Sequence, residues 1–256
     1  VTGEIRRPAI YELKGESSVA ELVYLGGGLT PEADPELAKL ERIDERRERI
    51  VMDVDLTSPA ARGTSLRSGD LLRIPGVKPT YANSVEIQGH VLRPAAFQYR
   101  SGLRLTDVIA SAEELKPNAD QHYVLIRRED PVTRRVQVIS ADLAAAWRLP
   151  QSEANPLLAP RDRVYVFDLE TDRHATLDPI LEELKLQAVT AAPSQVVRIS
   201  GSVRVPGDYP LETGTTVSDL IRAGGGRAEE AYGGAAGLAR YGVRDGQTRK
   251  TDVVKV

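Results

Sequence analysis

Three stretches of the chain share one spacing of apolar and polar positions. Apolar residues alternate around a glycine in Ile87-Gln88-Gly89-His90-Val91 and in Ile199-Ser200-Gly201-Ser202-Val203, and Val1-Thr2-Gly3-Glu4-Ile5 has the same form. Period-two alternation predicts a half-buried strand. A glycine inside it predicts a bulge or a close backbone approach. Five residues after each glycine stands a proline (Pro8, Pro94, Pro206), and three further on an aromatic (Tyr11, Phe97, Tyr209). Pro206-Gly207 has the residues of a type II turn, with Gly207 supplying a positive φ, whereas Pro8-Ala9 and Pro94-Ala95 fit type I. The aromatic is expected to open a returning strand, giving a hairpin in each copy.

A short helix should follow. Sixteen residues after each glycine comes Val19, Leu105 or Val217, and three further on Leu22, Val108 or Leu220. Ser18-x-x-Glu21 and Thr216-x-x-Asp219 are capping boxes by sequence. Val217, Leu220 and Ile221 form an i, i+3, i+4 face. Gly26-Gly27-Gly28 and Gly224-Gly225-Gly226 supply left-handed C-caps. The second copy departs, with Arg104 at the cap and Ala112-Glu113-Glu114 in place of the glycines. Its helix is expected to run one turn longer, towards Leu115.

A second hairpin is expected from Leu40-Glu41-Arg42, Ile126-Arg127 and Leu238-Ala239-Arg240, returning at 50–56, 136–143 and from Thr251. Propensity alone makes residues 36–49 a charged helix. The repeat makes them a hairpin turning near Asp44-Glu45, as Tyr123-Val124-Leu125-Ile126 leads to a turn at Asp130-Pro131. Ser68-Gly69-Asp70 and Pro160-Arg161-Asp162 each precede an alternating closing strand. The third copy reaches Val256 before such a segment, so the parent protein is expected to continue, and the third module to lack an edge and be the least stable. Two hairpins and a closing strand wrapped over a helix are a β-grasp arrangement, of the α+β class. Residues 76–83 read as an extended linker. Leu177, Ile180, Leu181, Leu184 and Ala188 give residues 171–192 one apolar face, with a helix start at Asp178-Pro179. That helix reads as a spacer packed on its neighbour, the alternative being an interface between protomers.

Composition narrows the function. Only 5% of residues are aromatic within 41% apolar, so small aliphatics must fill several small cores. A net charge of -3 argues against nucleic acid as a partner, since that needs a basic stripe. Without cysteine there are no disulfides, thiolate nucleophiles or Cys-type zinc sites. No apolar run approaches the ~18 residues of a membrane helix. There is no signal peptide, and a chain opening at Val1 inside an expected strand reads as an excised fragment. His90, His122 and His174 are scattered and read as solvated. The pairs Glu113-Glu114, Glu182-Glu183 and Glu229-Glu230 read as solvated faces. Gly224-Gly225-Gly226-Arg227 ends a helix where phosphate loops begin one. The chain therefore presents no catalytic, metal-binding or cofactor-binding constellation and reads as a non-enzyme.

The recurrent Tyr11, Phe97 and Tyr209 fit a core or corner role, with stacking on sugar faces as the alternative. Trp147, after Ala144-Ala145-Ala146 and present only in the second copy, is the fourth candidate for a ligand or interface contact.

The pattern V-x-G-x-V-x-x-P-G-x-Y-x-L…G-x-T-V-x-D-L-I-x-x-A-G-G resembles the SLBB (soluble-ligand-binding β-grasp) domain. The third copy carries it nearly throughout, at Gly201, Pro206, Gly207, Tyr209, Leu211, Gly214, Thr216, Val217, Asp219, Leu220, Ile221, Ala223, Gly224 and Gly225. The first copy matches well and the second diverges. The expected architecture is three tandem SLBB-type modules at 1–78, 79–170 and 194–256, with a linker helix at 171–193. Tandem modules and the 177–187 connector are similar to Wza-like outer-membrane polysaccharide export proteins. That resemblance implies a periplasmic segment of an export translocon, part of a homo-oligomeric ring wall passing exopolysaccharide or capsular polysaccharide. It implies outer-membrane association through other parts of the parent protein and an inner-membrane polysaccharide co-polymerase as a further partner. The alternative is a monomeric glycan- or small-ligand-binding module.

Overall fold

Residues 36–49, rich enough in Glu, Arg and Lys to favour a helix, form a hairpin instead. Ala38 and Leu40 point into a core while Lys39 and Glu41 stay on the other face. The turn is made by Asp44, whose Oδ1 accepts the Arg46 and Glu48 N–H groups at 2.9 Å each, and by Arg47 in the left-handed region at φ 66°. Alternating burial and a side-chain-closed turn outweigh helix propensity here. The structure, a computed structural model, describes residues 1–15, 17–169, 173–189 and 194–231, with the backbone of 236–240 and 250–254. The chain falls into two compact units, Val1–Thr80 and Tyr81–Val256.

The first unit contains β1 (Thr2–Gly3), α1 (Val19–Leu25), β2 (Ala38–Ile43), β3 (Arg49–Val54), α2 (Pro59–Arg62) and β4 (Leu71–Ile74). Its sheet runs β1-β4-β2-β3, with β1 parallel to β4 and the other pairs antiparallel. Helix α1 begins in the expected capping box: Ser17 and Ser18 N–H donate to Glu21 Oε2 at 2.7 and 3.0 Å, and Glu21 N–H donates to Ser18 Oγ. Gly27 and Gly28 end it with φ of 80° and 86°. Val19 and Leu22 pack on Leu40, Val54, Leu72 and Ile74. The returning strand expected near Tyr11 is absent, and residues 8–13 are irregular. In the second unit the returning strand pairs with Ser84–Ile87. The Val1 amino group donates to Ala9 O at 2.9 Å.

The second unit opens with β5 (Ser84–Gly89), β6 (Ala95–Gln98), α3 (Leu105–Val108), β7 (Ala119–Glu129), β8 (Val136–Ala141), α4 (Leu143–Arg148) and β9 (Arg163–Asp168). These strands form one sheet, β6-β5-β9-β7-β8. Helix α3 is a single turn, shorter than expected. Ile109 breaks it at φ -132°, ψ 85°. Two local bonds then shape a separate 3₁₀ turn over Ala112–Glu114: Glu113 N–H to Ser111 Oγ, and Ala110 N–H to Glu114 Oε2 at 3.0 Å. Such side-chain bonds compete with helix continuation.

The closing strand explains the strand glycines. A Cβ on Gly3 would lie 1.9 Å from Ile74 O, and one on Gly89 2.1 Å from Val166 O. The next residue donates to that same carbonyl, Glu4 N–H to Ile74 O and His90 N–H to Val166 O, both at 2.8 Å. Each closing strand is also clamped by an arginine from the second hairpin. Arg42 grips Asp70 through Nε and Nη2 (2.8 and 2.6 Å) and reaches Ser65 O at 2.7 Å. Arg128 grips Asp162 (2.9 and 2.6 Å) and reaches Leu157 O at 2.8 Å. Bidentate pairs of this kind are the strong charge-assisted bonds.

The remainder comprises α5 (His174–Leu186), β10 (Val196–Ile199), β11 (Gly207–Pro210), α6 (Val217–Ala223), β12 (Ala236–Arg240) and β13 (Lys250–Val254). Helix α5 begins a turn earlier than Asp178-Pro179 suggested, so Pro179 lies inside it. Helix α6 has the expected capping box, with Asp219 N–H on Thr216 Oγ1 and Thr216 N–H on Asp219 Oδ2. Gly207 has the expected positive φ, but at 154° it is far from the roughly 80° of a type II corner. It opens β11, paired with Ile199. Its lack of a side chain makes room for His174, whose ring comes within 1.9 Å of a Cβ built there.

Candidate functional site

The recurrent aromatics sit at corners of the fold. Tyr209 Oη donates to Val205 O and Tyr11 Oη to Arg7 O, each at 2.7 Å and four residues back. Both hydroxyls tie the backbone ahead of the proline. Tyr209 is wholly buried, and Tyr11 is half-buried on the core of the first unit. Phe97 lacks the hydroxyl and packs half-buried on the core under β5 and β7. Trp147 lies on α4, its Nε1 donating to Ile109 O at 2.9 Å and its ring against that same core. The structure thus brings Phe97 and Trp147 to one core and puts Tyr209 in another. Tyr11 belongs to the other unit.

The histidines and acidic pairs have partners that sequence reasoning missed. His90 Nε2 lies 2.6 Å from Pro117 O, and His122 Nδ1 lies 3.0 Å from Asp142. His174 Nε2 lies 3.1 Å from Pro206 O. Glu183 is gripped by Arg127 at 2.7 and 2.8 Å. The Arg127 guanidinium is raised above its ordinary pKa first by that hydrogen bond.

Strand β7 is buried on both faces. Val124 and Ile126 face the core with α3 and α4. Tyr123 and Leu125 face a second core with Phe167, Val138, Tyr209, Ala223 and the α5 residues Leu177, Ile180, Leu181 and Leu184. At its centre lies Arg173, 2% exposed. It pairs with the buried Asp120 and donates through Nη1 to Ala223 O at 2.6 Å. Its guanidinium stands 5.6 Å from the Tyr123 ring centre and 5.2 Å from that of Phe167, within cation–π range. Asp120 also accepts the His122 and Tyr123 N–H groups. Burial pushes the Tyr123 phenol well above its ordinary range, with the Glu212 charge adding and the Arg173 charge opposing. One residue therefore joins the second sheet, the connecting helix and the end of α6.

A cleft of about 280 Å³ opens between the β7–β8 turn, the end of α5 and the start of β10. Asp130, Thr133, Arg135, Gln137, Gln187 and Gln195 make its rim polar, and Val136 and Leu184 supply apolar surface. Part of that polarity is already engaged. Gln187 accepts Val136 N–H at 2.6 Å and donates to Val136 O and Glu183 O. Asp130 is held below its ordinary pKa first by the Thr133 N–H, then by the Thr133 hydroxyl and the Val132 N–H. Arg135 Nη2 also donates to Gln187 O at 3.3 Å. None of the four aromatic candidates lines the cleft. Among the described residues no cluster of His, Asp and Glu is arranged to hold a metal ion.

A sheet-on-helix module met in tandem copies, with a recurrent tyrosine tying the corner in the first and third, defines a tandem β-grasp protein of the α+β class. The SLBB domain model matches residues 1–53, 84–136 and 196–251, more than half of the chain. The chain belongs to the SLBB domain family. These are ligand-binding modules associated with polysaccharide, and they are typically periplasmic. A comparison with curated proteins returned no match. No helix among the described residues is long and apolar enough to cross a membrane.

Proposed function

We propose that this chain is a non-catalytic, periplasmic part of a polysaccharide export translocon, in which copies of it build a ring wall beneath the outer membrane. The reading takes the chain as three modules, 1–78, 79–170 and 194–256, with 171–193 as connector. The observation that carries it is the Arg173 junction. A wall must hold its modules at fixed angles, and a buried ion pair beside the stacked Tyr123 and Phe167 rings, shared by sheet, connector and helix end, stiffens the join between the second and third repeats. A tether between independent binding modules needs no such lock. In a ring the contacts are heterologous and closed.

Sedimentation velocity and electron microscopy of the protein test this. Closed rings that capture acidic polysaccharide are expected. A protein that stays monomeric at high concentration refutes the ring. The cleft favours a second reading, a monomeric glycan-binding module. Saturable polysaccharide binding by that monomer, abolished by Arg135→Ala with Gln137→Ala, would establish it instead.

A further inference from the structure

Strand β3 ends the sheet of the first unit, and among the described residues its outer edge carries no strand. It pairs with β2 alone. Beside the hairpin turn, Asp44 N–H donates to Glu48 O at 2.9 Å. Bonded pairs alternate along an antiparallel ladder, so Arg42–Ile50, Leu40–Met52 and Ala38–Val54 exchange bonds. Arg49, Val51 and Asp53 therefore turn their N–H and C=O groups away from β2. Their side chains stand on the exposed face, while Met52 and Val54 pack on the core. Val51 is 63% exposed. The strand has no proline and its register has no bulge, two of the devices that blunt an edge. The second repeat shows what such an edge demands. Arg42 stands opposite Ile50 and Arg128 opposite Gln137, so Val136 holds the place of Arg49. There the Gln187 side chain substitutes for a strand. It accepts Val136 N–H at 2.6 Å and donates to Val136 O at 3.3 Å.

We propose that β3 is a self-complementary docking edge whose occupant is β3 of a second copy, added antiparallel so that one sheet runs through both. Charge complementarity selects that occupant. Paired about Val51, the two strands set Arg49 of each copy opposite Asp53 of the other, with Val51 opposite Val51 between them. Each of these pairs joins residues whose main-chain groups face outward, so the ladder closes in this register. Asp53 already pairs with Lys39 on β2, and Arg49 makes no ion pair among the described residues. The added strand therefore continues an alternation of sign, Lys39 to Asp53 to the Arg49 of the second copy. Main-chain bonds supply the affinity and the charged pairs the register. The contact is two-fold and isologous, unlike the heterologous contacts of a ring, so it does not rest on the translocon reading. A seam of two six-residue strands falls short of the standard interface of about 1,600 Å², so the dimer is weak, with a Kd on the order of 100 μM.

Sedimentation equilibrium of the whole chain, up to roughly ten times that Kd, tests the proposal. A monomer–dimer equilibrium is expected. Val51→Pro deletes an outward N–H while sparing the ladder to β2, and should weaken dimerisation roughly tenfold or more. Arg49→Asp and Asp53→Lys each set like charges opposite one another at both ends of the seam, and each should weaken it comparably. An equal mixture of those two variants should dimerise again, because every charge at the seam then faces its opposite. Rescue by mixing requires that both variants fold. A chain that stays monomeric over this range overturns the proposal. Association indifferent to Val51→Pro or to either charge reversal does so too, because another surface, such as the β6 edge, would then hold the copies together. A mixture no more dimeric than its components also overturns it.

Discussion

Replacing Arg173 by Met isolates the electrostatic part of the junction. Methionine keeps an unbranched apolar body beside the stacked Tyr123 and Phe167 rings but deletes the charge. Asp120, 2% exposed, then loses its only cationic partner among the described residues while still holding the His122 and Tyr123 N–H groups. Ala223 O loses a donor as well. Stranding one member of a buried pair costs about 3–5 kcal/mol. For a unit of this size that lowers the melting temperature by roughly 10 °C. Trp147 is the chain's single tryptophan and packs in the second unit, so urea unfolding followed by its fluorescence reads that unit alone. Asp120→Asn added to Arg173→Met should recover much of the loss, since no uncompensated charge remains. A loss under about 1 kcal/mol for Arg173→Met, the range of exposed pairs, would mean that water reaches Asp120 and that the junction is not a lock.

Gly3→Ala should destabilise the first unit by about 4 kcal/mol, beyond the 1–2 kcal/mol of a left-handed alanine, because the sheet must part from Ile74 O; chemical denaturation measures it, and a cost limited to the conformational share would refute the close approach. Tyr209→Phe should cost about 1 kcal/mol, leaving Val205 O without its phenolic donor, and Tyr11→Phe less, its site being half-exposed; calorimetry of the two variants checks the order. The Asp70 carboxyl sits below its ordinary pKa: burial, the largest single influence, raises it, but the Arg42 hydrogen bonds, the Arg67 N–H and the neighbouring charges together outweigh burial. Its stabilisation is therefore complete above the unfolded value of about 3.9 and lost as pH falls through the lower folded value. Acid titration of the first unit should show this, and Asp70→Asn should flatten the profile below pH about 4 while lowering stability at neutral pH; an unchanged profile would refute the clamp.

Local signals carried well from sequence to structure. The capping boxes at Ser18 and Thr216 and the hairpin at Asp44 depend on residues within a few positions of one another, and repeat spacing exposed them. The residues that join elements did not carry. Arg173 and Asp120 stand 53 positions apart, and neither lies in a motif. One signal was present and went unread: Tyr123-Val124-Leu125-Ile126 is apolar without alternation, the mark of a strand covered on both faces, whereas Ala38-Lys39-Leu40-Glu41 alternates and is covered on one. That contrast locates the surface on which α5 packs. Gly207 had a tertiary reason, the His174 ring, that mimicked a turn signal. The early end of α3 came from bonds at Ser111 and Glu114 that composition does not advertise. Recurrence and rarity single out the four aromatics, and neither reports whether a ring faces solvent.

The carbonyls of Ile74 and Val166 have a genetic consequence. Most damaging core substitutions have suppressors, because a neighbouring side chain can be trimmed to make space. Here the obstructing atom is main chain, and every amino acid carries it. A suppressor screen on Gly3→Ala or Gly89→Ala should return true revertants and no compensating partner.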